Sequence, residues 1–161
     1  MTDARENVFQ VLRRHGVRFA VIGGHAVNVH GFIRATEDHD VVFLRTPESE
    51  MRLLAALQEI KARWIDDEID PATGIERQIP VSLSYLKALR MMMLLTDEGF
   101  LDIFDYVPGC PEEPVEQLIS DAISVSGINY ASKPWLLRMK RAAGRPKDLL
   151  DIENLDQGNK V

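Results

Sequence analysis

The sequence is short of cysteine and of long apolar runs, and each shortage excludes a class of protein. Cys110 is the single cysteine among 161 residues, so an intramolecular disulfide is excluded and a reducing compartment is expected. The longest apolar run, residues 91–95, is too short to cross a bilayer. Residues 1–6 are polar and acidic, unlike a signal peptide. We therefore expect a cytoplasmic protein with no membrane partner.

Positive charge is also scarce. The chain has 25 acidic residues against 19 basic ones, which argues against a protein that coats nucleic acid over its whole surface. The basic residues are unevenly placed, because residues 133–147 contain six of them and no acid. Such a stretch is either a solvated helix face or a patch that attracts phosphate. The apolar fraction of 45% is ordinary for a folded domain.

Apolar spacing and turn residues predict a chain that alternates between helices and strands. We expect helices over 3–15, 24–30, 46–60, 111–122, 132–143 and 146–155, and strands over 18–22, 38–44, 63–65, 75–81, 90–96, 100–107 and parts of 123–130. In the helix over 46–60, Met51, Leu54 and Leu57 lie along one side.

A strand–helix–strand unit followed by a hairpin predicts the α/β (α+β) class, a mixed β-sheet with flanking helices. Residues 1–110 would form the core of this fold. Residues 111–161 would form a short C-terminal helical segment that packs on the core, so that the chain makes one unit.

Two glycines and two carboxylates are the most informative feature. Gly23 and Gly24 end a strand-like run, and Asp38 and Asp40 open the next strand one short helix later. Residues two apart on a strand point to the same side, so the two acids can converge. Two such charges are unfavourable unless a cation or a shared proton lies between them. Because glycine has no Cβ, a polyanion can approach the backbone beside them. The pattern predicts a metal ion next to a phosphate.

A third acid, Asp102, interrupts an otherwise apolar strand, where a buried carboxylate needs a partner. Neighbouring strands lie ~4.8 Å apart and two-metal sites hold their ions ~3.5–4 Å apart. Three acids on adjacent strands therefore have the reach to bind two Mg²⁺ ions. Other interpretations stay open: Asp38 and Asp40 could lie in a solvated loop, and Asp102 could form a salt bridge with a basic residue on the sheet.

Together these motifs resemble the nucleotidyltransferase superfamily of the DNA polymerase β type. The segments Gly23-Gly24-His25-Ala26, His30-Gly31 and Arg34-x-Thr36-x-Asp38-x-Asp40 are similar to minimal bacterial nucleotidyltransferases, including AbiEii-like toxin relatives. So is the late stretch 140–148, Lys-Arg-Ala-Ala-Gly-Arg-Pro-Lys-Asp. The resemblance covers roughly residues 18–44 and 100–156.

The resemblance implies that Asp38 and Asp40 bind Mg²⁺ and the triphosphate of an NTP. Asp102 would hold the second ion and help to deprotonate the acceptor hydroxyl. Gly23 and Gly24 would offer backbone N–H groups to the phosphates. The other candidate nucleotide contacts are Arg34, Thr36, Lys140, Arg145 and Asp148. Arg34 could equally be a surface charge, Thr36 a turn residue, and Asp148 a helix cap or an ion-pair partner.

Two positions depart from the family pattern. His39 stands between the paired acids, where the family usually has an apolar residue, and Gly24 stands where it often has serine. Strand alternation turns His39 away from the acids, so we expect it to be a core residue and not a metal ligand.

The predicted function is Mg²⁺-dependent transfer of a nucleoside monophosphate from an NTP to a hydroxyl of RNA, a protein or a small molecule. A relation to toxin–antitoxin systems is implied, with a second copy of the chain or a cognate antitoxin as candidate partner. Two alternatives stay open. One is a non-catalytic antitoxin-like or regulatory protein that keeps the fold, and the other is metal-dependent phosphate hydrolysis with water as acceptor.

Overall fold

The computed structural model describes residues 6–33 and 35–157, which form seven helices and one eight-stranded mixed sheet. The helices are α1 (Val8–Arg14), α2 (Gly23–Val29), α3 (Pro47–Glu59), α4 (Leu83–Ala88), α5 (Val115–Ser120), α6 (Lys133–Ala143) and α7 (Pro146–Gln157). The strands are β1 (Phe19–Ile22), β2 (His39–Phe43), β3 (Arg63–Ile69), β4 (Glu76–Pro80), β5 (Met91–Thr96), β6 (Gly99–Phe104), β7 (Ile123–Val125) and β8 (Ile128–Tyr130). The predicted α/β (α+β) class is confirmed.

The strands are ordered β4-β3-β5-β6-β2-β1-β8-β7 across the sheet. β6 and β2 run parallel, as do β1 and β8, and the other neighbours are antiparallel. The segment after residue 110 supplies β7 and β8 as well as three helices, so its backbone is hydrogen-bonded into the same sheet as the acids.

Side-chain alternation gives the central strands two apolar faces. Val21 and Val41 point towards α1 and α3, and we call this side the first face. Ala20 and Val42 point towards the layer of α2, α5, α6 and α7, which we call the second face. Asp40 is two residues from Val42 on β2, and Asp102 on β6 is paired with Asp40. Both acids therefore lie on the second face.

The helix ends follow from local hydrogen bonds. Asn7 forms a capping box at the start of α1, and Thr46 forms one at the start of α3. Gly144 ends α6 in the left-handed conformation, with φ +63°. Ser82 caps α4, a helix that the sequence pattern did not predict. In the described ranges, no helix combines the length and the apolar character needed to span a bilayer.

The hairpin between β5 and β6 sets the position of Asp102. Thr96 and Gly99 are paired at its end, and Gly99 has φ +106°, which suits glycine. The Thr96 hydroxyl donates to the carbonyl of Gly99 at 2.8 Å and accepts from the N–H of Glu98 at 3.1 Å. This register places Met93 opposite Asp102, so both side chains project from the second face.

Candidate functional site

Asp40 and Asp102 are direct neighbours across two parallel strands. The register of β2 and β6 pairs one with the other, and both are half-buried. Asp38 lies just before β2 and is exposed, and its charge acts on both carboxyls. The structure thus brings the three predicted acids into one electrostatic group on the second face.

Near neutral pH, the carboxyl groups of Asp40 and Asp102 share one proton. Burial, followed by the charges of Asp102 and Asp38 and a hydrogen bond with Asp102, raises the pKa of Asp40 to about 7. Burial also raises the pKa of Asp102, and the hydrogen bond with Asp40 opposes that rise. The neutral Asp40 carboxyl therefore donates to the Asp102 carboxylate, which relieves the repulsion between two adjacent acids.

Gly23 makes room for the Asp40 carboxyl. Ile22 pairs with Asp40 across β1 and β2, and Gly23 follows with φ +69° at the start of α2. A Cβ built on residue 23 would collide with Oδ2 of Asp40 and lie 3.2 Å from its Cγ. Glycine is required here for two reasons, its backbone conformation and the space that the carboxyl occupies.

A cleft of about 530 Å³ lies in front of the acids. One wall consists of Gly23 and the three acids, and Met91 and Phe104 continue it along the sheet. The opposite wall comes from α6, α7 and the turn between them: Leu136, Met139, Lys140, Ala142, Ala143, Arg145, Lys147 and Asp148. The volume lies within the range of sites that bind small ligands and cofactors.

Lys140, predicted to contact a triphosphate, is buried in an ion-pair network at this wall. Its Nζ lies 2.9 Å from Asp151 and 3.7 Å from Asp148. The three residues are 6%, 2% and 1% exposed. Two carboxylates beside one ammonium ion stabilise its charge inside the protein. Sequence reasoning missed Asp151, although its spacing from Asp148 places both acids on one face of α7.

Arg145 and Lys147 supply positive charge opposite the acids. The guanidinium of Arg145 donates to Asp148 at 2.6 and 3.2 Å, and its backbone N–H donates to the same carboxylate at 3.1 Å. These bonds outweigh burial, the largest single influence, and keep the pKa of Asp148 below its ordinary value. The positive charge of Lys147 partly opposes the rise in the pKa of Asp40. Lys147 is exposed; it belongs to the basic stretch 133–147 but was not among the predicted nucleotide contacts.

Two further predicted contacts, Gly24 and Thr36, do not line the cleft. Gly24 is buried within α2. Thr36 is half-buried, and its hydroxyl donates to the carbonyl of Asp38 at 3.3 Å, which is the turn role that the sequence left open. Arg34 lies outside the described residues.

His39 packs on the first face, away from the acids. Its ring stacks on His25 with centroids 4.8 Å apart and meets the edge of Phe9 at 5.2 Å. Nδ1 of His39 lies 3.4 Å from the carbonyl oxygen of Phe100. The imidazole fills a place where an apolar side chain would pack, so its presence leaves the acid-bearing face unchanged.

The oxygen donors of the three acids are of the kind that binds Mg²⁺. Across residues 6–33 and 35–157, no three His, Cys, Asp or Glu side chains surround a common metal position. The chemistry of Asp38, Asp40 and Asp102 fits Mg²⁺ nonetheless, because Mg²⁺ prefers carboxylate oxygens. Loss of the proton between Asp40 and Asp102 would leave two adjacent negative charges that a cation neutralises.

Comparison with known proteins gives a distant similarity among solved structures. No family model and no curated protein matches the sequence. Among solved structures, the chain is similar to the crystal structure of JHP933 from Helicobacter pylori, with 18% sequence identity and a TM-score of 0.48. The match covers 91% of this chain and 61% of JHP933, so the chain spans less than two thirds of that protein. A similarity this distant carries no argument about function.

Proposed function

We propose that the chain is a Mg²⁺-dependent nucleotidyltransferase that transfers a nucleoside monophosphate from an NTP to a hydroxyl acceptor. One observation supports this most strongly: Asp40 and Asp102 are paired across β2 and β6, at a cleft whose far wall carries Arg145 and Lys147. Acids on one wall and cations on the other match the charge pattern that a metal-bound polyphosphate requires.

Each wall has its own task in this proposal. Asp38, Asp40 and Asp102 would hold Mg²⁺, which would supply charge neutralisation on the triphosphate. Lys147 and Arg145 lie opposite and contact the phosphates that leave as pyrophosphate. Gly23, having no Cβ, leaves the Asp40 carboxyl room at the floor of the cleft.

The transfer step is a displacement at the α-phosphorus. The acceptor oxygen forms a bond to this phosphorus while the bond to the oxygen that bridges to the β-phosphate breaks, and pyrophosphate leaves. The proton of the acceptor hydroxyl passes to Asp102 and then to water. Asp102 is assigned this role because its carboxylate lies on the acidic wall of the cleft, where the acceptor hydroxyl would meet the triphosphate.

The ion pairs of α6 and α7 favour a second candidate, a non-catalytic antitoxin-like or regulatory protein that retains the fold. Lys140 is enclosed by Asp148 and Asp151, and Arg145 is bonded to Asp148. If these pairs persist in solution, fewer positive charges face the cleft and NTP affinity is low. Binding of NTP therefore discriminates between the two candidates.

The test is transfer of label from α-phosphate-labelled ATP, GTP, CTP or UTP, with Mg²⁺ and a bacterial lysate as the source of acceptors. We expect a labelled acceptor and released pyrophosphate with the natural chain, and neither with Asp40→Asn. Asp97→Asn, at the exposed tip of the β5–β6 hairpin, is the control and should behave like the natural chain. Free nucleoside monophosphate without a labelled acceptor would indicate hydrolysis. Absence of both NTP binding and labelling would favour the non-catalytic candidate.

A further inference from the structure

The second face of the sheet has an exposed apolar area beside Asp102. Met93 is paired with Asp102, and Leu95 with Phe100, so all four side chains project from this face. Met93 is 64% exposed and Phe100 is 46% exposed. Arg63 on β3 is paired with Leu95. Ile65, two residues further along β3, therefore lies on the same face, and it is 40% exposed. We call Ile65, Met93, Leu95 and Phe100 the open face.

β5 and β6 also carry large apolar side chains on their opposite side, where these side chains are buried. Met92, Leu94 and Leu101 point to the first face and are at most 1% exposed. β5 and β6 thus carry large apolar side chains on both sides, which is typical of strands covered on both faces. On the second face, α2 packs on β1 and β2, and α5 packs on β1. A contiguous apolar area that stays exposed marks an interaction surface.

Charge beside the open face selects the partner. Residues 63–80, which form β3, β4 and their connection, contain two arginines and five acids, namely Asp66, Asp67, Glu68, Asp70 and Glu76. Arg77 lies 3.7 Å from Asp66 and 3.6 Å from Glu68, and Arg63 lies 3.4 Å from Asp97. Both arginines therefore face carboxylates of the chain itself. The hairpin repels a polyanion such as RNA and attracts a cation.

We propose that the open face docks a polypeptide segment in which apolar side chains alternate with lysine or arginine. The apolar side chains cover Met93 and Phe100, and the basic ones lie against the β3–β4 hairpin. This docking requires neither a metal nor a nucleotide, so it stands apart from the proposed catalysis. A second copy of the chain suits the face less well, because each copy has a net charge of −6.

Binding of two fluorescent peptides, measured by anisotropy in EDTA without nucleotide, tests the proposal. Both peptides carry the same leucines and phenylalanines, and the remaining positions are all lysine in one and all glutamate in the other. We expect the lysine peptide to bind at least about tenfold more tightly and to weaken as salt is raised. Equal binding of the two peptides, tighter binding of transfer RNA, or self-association in place of peptide binding would overturn the proposal.

Matched variants locate the binding surface. Glu68→Lys reverses a charge on the β3–β4 hairpin, and Glu116→Lys, on α5, is its control. Both glutamates are exposed, and each lies 3.6–3.7 Å from an arginine. Met93→Gln removes apolar surface from the open face, and Met51→Gln does so on α3, where Met51 is 54% exposed. We expect the first variant of each pair to reduce the affinity for the lysine peptide about threefold or more. The second variant should leave this affinity unchanged. Equal effects within each pair would place binding elsewhere.

Discussion

A Cβ atom on residue 23 would overlap Oδ2 of Asp40. The glycine at the end of β1 and the carboxylate on β2 therefore depend on each other. Any larger residue at position 23 must push the Asp40 carboxyl out of its place beside Asp102. This dependence links the two motifs that stand 17 positions apart in the sequence, and it can be tested separately from backbone strain.

Gly23→Ala should cost more than the same change at Gly74. The two glycines have φ +69° and +70°, but nothing lies within 4 Å of a Cβ built on Gly74. Both variants bear the strain of a left-handed alanine, ~1–2 kcal/mol, and only Gly23→Ala also displaces Asp40. Urea unfolding should show the larger loss for Gly23→Ala, and Mg²⁺ titration should show weaker binding for that variant alone. Equal losses for both variants would mean that the Asp40 contact is unimportant.

The free energy of unfolding should fall as pH rises through neutrality. Burial first, then the charges of Asp102 and Asp38, raises the pKa of Asp40 from 3.8 to about 7. The folded state thus binds this proton more tightly than the unfolded chain. The resulting stabilisation is complete below about pH 4 and is lost as pH rises through 7. The full difference corresponds to roughly 4 kcal/mol.

The comparison of Asp40→Asn with the natural chain isolates this effect from other titrations. In EDTA, the stability of the variant relative to the natural chain should rise by a few kcal/mol between pH 5 and pH 8, since asparagine does not ionise. Urea unfolding at each pH provides the measurement. A difference that stays constant over this range would show that Asp40 titrates as an ordinary exposed aspartate.

Lys140→Met should destabilise the fold strongly. The change leaves Asp148 and Asp151, both almost fully buried, without the ammonium ion between them. Breaking a buried ion pair in this way costs ~3–5 kcal/mol. Lys147→Met, at an exposed position, should change stability little. Adding Asp151→Asn to Lys140→Met should recover part of the loss in urea unfolding, and a double variant no more stable than Lys140→Met would argue against the pairing.

Lys147→Ala should weaken nucleotide binding without loss of stability. The side chain is exposed at the cleft, and its charge acts on Asp40. Loss of a hydrogen bond to a charged phosphate should reduce affinity about tenfold or more. Lys87→Ala, at an exposed position on α4, serves as the control in a fluorescent-nucleotide titration. If both variants bind like the natural chain, α7 does not contact the nucleotide.

Local signals were sufficient to predict most of the sheet. The β5–β6 hairpin followed from a glycine-containing turn between two apolar runs, and β2 from a run of apolar residues after the paired acids. α4 was missed because it has six residues and buries only Leu86, too little for a helical period to be visible. The apolar side predicted for α3 was wrong only at Met51, which is exposed. Leu57 is buried and Leu54 packs against the core as predicted. Leu53 and Ala56, which were not predicted, are also buried.

The positions of the acids could be predicted from the sequence better than the surroundings of the basic residues. Strand periodicity was enough to predict that Asp38 and Asp40 converge, but Asp102 lies beside Asp40 because β2 pairs with β6, and this long-range pairing is not contained in any local pattern. The surroundings of Lys140 depend on a contact between two helices. Gly144 turns the chain back, and α7 then brings Asp151 against α6, a pairing that no local pattern along α6 contains.

The decisive experiment is isothermal titration of ATP, GTP, CTP and UTP in the presence of Mg²⁺, with the natural chain and with Asp40→Asn. We expect that at least one nucleotide binds the natural chain, that EDTA removes the binding, and that Asp40→Asn abolishes it. Failure of all four nucleotides to bind, or equal binding to the natural chain and the variant, would contradict it.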